Sequence, residues 1–77
     1  MTYTEFTAKI EPLEVGREIL IAELSEIGFE SFVESDLGLM AYIQTTVFNE
    51  ADLSQVSLLS NPQFEVSYQL KQIQDEN

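Results

Sequence analysis

Residues 2–10 alternate between apolar and polar positions. Phe6, Ala8 and Ile10 fall on one side; Tyr3, Glu5, Thr7 and Lys9 fall on the other. A period of two, with aromatic and β-branched residues, predicts a half-buried strand. Pro12 has no amide hydrogen to continue the ladder and ends it. From Leu13 to Ile27 the period becomes helical. Leu13, Leu20, Leu24 and Ile27 form one stripe, Glu14, Glu18 and Glu26 face away from it, and Glu23 flanks it. This predicts an amphipathic helix with Glu14 and Glu18 near its N-terminus, where the helix dipole favours anions. Gly28 takes the left-handed position after the last turn. Gly16 falls in the first turn, where glycine costs less than in mid-helix. Val15 and Ile19 lie off the stripe, as edge-of-core residues or as a contact with another domain or chain.

Two short apolar runs follow, Phe29–Glu34 and Leu39–Gln44, around the linker Ser35-Asp36-Leu37-Gly38. They predict a β-hairpin. In the second run Leu39, Ala41 and Ile43 share one face and Met40, Tyr42 and Gln44 the other. The first run does not alternate cleanly, so its facing stays open. Asn49 then reads as an N-cap, with Glu50 and Asp52 in the first turn of a second helix. Leu53, Val56 and Leu59 or Ser60 give that helix its apolar spacing, and Asn61-Pro62 stops it. Phe64, Val66, Tyr68 and Leu70 alternate with Glu65, Ser67, Gln69 and Lys71 in the cleanest strand of the chain. Gln72 onward reads as a polar tail.

The order strand, helix, strand, strand, helix, strand is two β-α-β halves joined by a hairpin. It predicts an α+β, ferredoxin-like βαββαβ fold: a four-stranded antiparallel sheet with two helices on one face. The helices are expected to cover Phe6, Ala8, Ile10, Ala41, Ile43, Phe64, Val66 and Tyr68. The core is expected to set Leu20 and Leu24 against Phe64 and Val66.

Charge narrows the function classes. The 77 residues carry 14 acidic and 3 basic side chains, a formal net charge of −11, with no histidine, cysteine or tryptophan. Disulfides, thiolate metal sites, cysteine nucleophiles and histidine bases are excluded. Nucleic acid is an unsuitable partner, because its phosphates need clustered cations. No apolar run approaches a membrane span, and Met1–Glu5 has neither the basic flank nor the apolar segment of a signal peptide. Hydrophobic residues make up 44%, enough for a core despite the charge. The carboxylates read as a solvated face, the serines have no base partner, and the three glycines are too scattered to cradle a phosphate. No catalytic, cofactor-binding or metal-binding residue is expected.

The uncovered side of the sheet holds the remaining candidates. Tyr3, Glu5, Thr7, Met40, Tyr42, Gln44, Glu65, Ser67, Gln69 and Lys71 are expected there. Tyr3, Glu5, Met40, Tyr42 and Gln44 are the candidate partner-binding residues, since tyrosine and methionine on a mixed surface suit docking. The acidic balance favours a basic partner.

The run Glu18-Ile19-Leu20-Ile21-Ala22-Glu23-Leu24-Ser25-Glu26-Ile27-Gly28-Phe29-Glu30-Ser31-Phe32-Val33-Glu34 resembles the N-terminal domain of the PrmA family of bacterial methyltransferases, in its Bacteroidetes versions. Gly38-Leu39-Met40-Ala41-Tyr42-Ile43 and Tyr3-Thr4-Glu5-Phe6 resemble it as well. Members of that family modify the large-ribosomal-subunit protein numbered eleven. The resemblance implies a ferredoxin-like substrate-recognition domain over residues 1–72. Residues 73–77 would begin a linker to a methyltransferase domain absent from this chain. It implies a cytoplasmic module that binds the basic ribosomal protein and works with the catalytic domain of the same parent. The chain itself would hold no cofactor and transfer no methyl group; S-adenosylmethionine would belong to the parent enzyme. The alternative is a stand-alone ferredoxin-like regulatory or oligomerisation domain that binds a small ligand.

Overall fold

The structure, a computed structural model, describes residues 2–74. Strand β1 (Thr2–Glu11) leads into helix α1 (Leu13–Glu26), then strands β2 (Ser31–Glu34) and β3 (Gly38–Gln44). Two 3₁₀ segments follow, Glu50–Gln55 and Ser57–Ser60, and strand β4 (Glu65–Gln74) comes last. The four strands form one antiparallel sheet in the order β2-β3-β1-β4, the α+β, ferredoxin-like arrangement expected. One face carries the core: Phe6, Ala8 and Ile10 of β1 and Leu39, Ala41 and Ile43 of β3, under Leu20 and Leu24 of α1, Leu53 and Leu58 of the two 3₁₀ segments and Val56 between them. Phe64 and Val66 pack against that cluster, half-buried. Gly28 closes α1 with φ +107°, a backbone angle that L side chains rarely adopt.

The second helical element departs from the expected α-helix. Leu53 and Val56 are buried three residues apart, a spacing that suits a 3₁₀ turn as well as an α-turn. The segment is rich in serine, whose hydroxyl competes for backbone carbonyls. Ser54 Oγ donates to the Ala51 carbonyl at 2.8 Å. Val56 is extended (φ −86°, ψ 93°) and splits the run in two. The break turns Leu58 into the core, whereas Leu59 is only partly buried and Ser60 is exposed. The N-cap stands as read: Asn49 Oδ1 accepts from the Ala51 amide at 3.0 Å.

Four further readings need correction. Tyr68 lies on the helical side and stacks on Phe6 (centroids 4.9 Å apart), yet it stays 42% exposed because the short 3₁₀ layer does not reach over it. Strand β2 begins at Ser31; Phe29 precedes it and fills the core edge-on to Phe6 and Phe48. Val15 and Ile19 are 54% and 37% exposed, so they do not belong to the core edge. The supposed polar tail is strand as far as Gln74, since Ile73 stands opposite Tyr3. Residues 75–77 of the expected linker lie outside the described residues.

Candidate functional site

The open face of the sheet is built by register. Strand β1 runs between β3 and β4, and its odd-numbered residues turn away from the helical layer. Pairing with β3 sets Tyr3 opposite Gln44, Glu5 opposite Tyr42 and Thr7 opposite Met40. The five candidate residues therefore form one contiguous patch, and each is half-buried by its neighbours. Glu5 sits at its centre. Its Oε2 accepts a hydrogen bond from the Tyr42 hydroxyl at 2.8 Å, and its Oε1 accepts one from Thr7 Oγ1 at 3.4 Å. The same tyrosine hydroxyl lies 4.0 Å from the Met40 sulfur. The hydrogen bond to Glu5, then burial, then the carboxylate charge push the Tyr42 hydroxyl above the ordinary phenol value. It is protonated at neutral pH and donates.

Two residues of this patch escaped the sequence reading. Val33 of β2 stands opposite Met40 and is 46% exposed. Ile73 of β4 stands opposite Tyr3. The signal for Ile73 was present: the alternation of β4 simply continues. Val33 was hidden by the irregular run around Phe32. Together they give the face two apolar flanks around a hydrogen-bonded carboxylate. Among the described residues no cation comes within bridging distance of Glu5, and no group of three or more potential metal ligands occurs. The arrangement is suited to contact.

Two charged side chains of α1 serve the fold. Arg17, the chain's single arginine, donates from Nε to the Gly38 carbonyl (3.0 Å) and from Nη2 to the Ser35 carbonyl (2.6 Å). Its Nη1 lies 3.9 Å from Glu34. Arg17 thus clamps the β2–β3 turn. Glu23 reaches the other way. Its two oxygens accept from the Ser57 amide and hydroxyl and from the Leu58 amide, at 3.0, 2.7 and 3.0 Å. Burial disfavours the charged carboxylate, but the Ser57 hydroxyl and the two amides outweigh it and hold Glu23 below the usual carboxylate range. No described helix is long and apolar enough to cross a membrane.

Comparison with known proteins gives one consistent relationship. The chain is 40% identical to a ribosomal protein L11 methyltransferase of Bacteroides fragilis, in an alignment that takes in the whole chain and 28% of the relative. The same-named proteins of Phocaeicola vulgatus and Bacteroides thetaiotaomicron are 39% and 38% identical over the same shares. No family model and no solved structure matches the chain. The chain spans little more than a quarter of the length of these relatives. Over all its residues it is similar to the N-terminal part of Bacteroidetes ribosomal protein L11 methyltransferases.

Proposed function

We propose that this chain is the substrate-holding part of a ribosomal protein L11 methyltransferase. In this reading it binds the basic ribosomal protein in the cytoplasm and does not itself transfer methyl groups. The observation that carries the proposal is the open-face patch, with the Tyr42–Glu5 hydrogen bond at 2.8 Å beside Met40. Tyrosine supplies rigid aromatic contact area and methionine an adaptable one, and the fixed carboxylate supplies an acceptor for a lysine or arginine. The net charge of −11 attracts a basic partner and raises its encounter rate more than its affinity. S-adenosylmethionine and the catalytic machinery belong to another domain of the parent, because this sequence has no glycine-rich loop opening a helix.

Calorimetry with ribosomal protein L11 tests the proposal. The expected dissociation constant is no tighter than micromolar, about −8 kcal/mol, since the avidity of a second domain is missing. Tyr42→Ala should weaken binding more than Glu14→Ala, because a central aromatic outweighs a rim charge. Equal losses would contradict the assignment of the face. A micromolar affinity of the chain for S-adenosylmethionine would contradict its non-catalytic role.

A further inference from the structure

The two edges of the sheet are built differently. Strand β2 is an edge of four residues, flanked by Glu30 and carrying Glu34, with Asp36 just beyond. Short, acidic edges resist pairing with another strand. Strand β4 is an edge of ten residues without proline, and among the described residues no element pairs with its outer side. In a chain of charge −11 this strand is neutral, since its charged residues are Glu65 and Lys71 alone. It also presents Tyr68, 42% exposed, between the half-buried Val66 and Leu70.

These features are self-complementary. An antiparallel pair of identical strands is related by a twofold axis perpendicular to the sheet, so each residue faces a partner of the same side. With the axis at Tyr68, Glu65 of one copy faces Lys71 of the other, and Lys71 faces Glu65. Val66 faces Leu70 in both directions, Ser67 faces Gln69, and the two Tyr68 rings meet. Moving the axis by one residue puts Glu65 opposite Ile73 or Gln69 and loses both charge pairs. The described ion pairs leave Glu65 and Lys71 available, since only Arg17 and Glu34 come within bridging distance among the described residues. We infer that the chain pairs with a second copy of itself, β4 against β4 with the axis at Tyr68, to form a continuous eight-stranded sheet. The helical layers then lie on one side and both Glu5–Tyr42 patches on the other. This inference is independent of the proposed function.

Sedimentation equilibrium of the 77-residue chain, from micromolar to millimolar concentration, tests the pairing. The mass should rise from 8.8 kDa toward twice that value. Added salt should strengthen association, because it screens the repulsion between two highly acidic copies. Glu65→Lys sets two cations against each other at both charge pairs across the axis. Dimerisation should weaken about tenfold from these two reversed cross-strand pairs. Within one chain the same substitution places a cation opposite Glu11 of β1, so a loss of dimer does not arise from poorer folding. The double variant E65K/K71E restores both pairs and should recover the wild-type dissociation constant. Its second substitution puts a carboxylate opposite Glu5 within one chain, so masses are compared at a temperature where circular dichroism shows both variants folded. A chain that stays monomeric at all salt concentrations overturns the inference. So does undiminished dimerisation of Glu65→Lys, or a double variant no better than the single one.

Discussion

Gly16 shows how one position can mislead a reading of pattern alone. Near the start of a helix it passes for a tolerated glycine. In the fold it is buried, and a β-carbon there would run into the branched side chain of Ile10, with the Phe64 ring 3.3 Å away. Gly16→Ala gains about 1 kcal/mol of helix propensity. It loses about 1–3 kcal/mol to overpacking against a side chain that has no room to retreat. Chemical denaturation should show a net loss of stability. Tyr42 makes the second prediction of this kind. Its hydroxyl is raised above the ordinary phenol value by Glu5, so the folded state favours the neutral form. That contribution is complete below the unfolded phenol pKa and is lost as pH rises through the folded value. In an absorbance titration Tyr42 should ionise at higher pH in the native chain than in Glu5→Gln. An unchanged titration in Glu5→Gln would remove the hydrogen bond from the account.

Strands β1 and β3 were legible because one face is buried and the other is not, so the alternation survives in the sequence. Helix α1 was legible for the same reason, its stripe of Leu20 and Leu24 being fully buried. The second helical element was not. Its spacing suited two helix types, and the run is split at the extended Val56, after which Glu23 of α1 accepts from the Ser57 and Leu58 amides at the start of the second segment. Nothing near residue 57 in the sequence announces that partner. The role of Arg17 was hidden likewise, since the carbonyls it holds lie 18 and 21 residues away. Of the patch, Tyr3, Glu5, Met40, Tyr42 and Gln44 were readable from alternation and Val33 was not, and their union around Glu5 depends on the β1–β3 register, which pattern does not give. Glu23→Gln removes the charge and replaces one of the two accepting oxygens by a donor, which should cost about 0.5–2 kcal/mol in thermal or chemical unfolding. The sign with pH follows from a lowered carboxyl pKa. The cap's contribution is present above the unfolded value and disappears as pH falls through the folded one, so the gap between wild type and Glu23→Gln should close in acid.

For the molecule as a unit, core and charge oppose each other. A small domain buries limited apolar surface, and a net charge of −11 on 77 residues makes the chain repel itself. Salt should therefore raise the melting temperature. Leu24→Ala, at a site with no exposed surface, should cost about 2–5 kcal/mol, a large part of the stability of a domain this size. An unchanged melting temperature would show that α1 packs by another face. The same acidity that weakens the fold is what the proposed function uses, and it leaves two surfaces in competition: the open sheet face, and the helical face with Glu14, Glu18 and the exposed Val15 and Ile19. An NMR titration of the chain with ribosomal protein L11 at low salt separates them. Shifts should concentrate on Tyr3, Glu5, Val33, Met40, Tyr42 and Gln44 and fade as salt is added. Shifts concentrated instead around Glu14, Glu18 and Ala22, or none with the ribosomal protein in excess, would contradict the proposed binding at the open face.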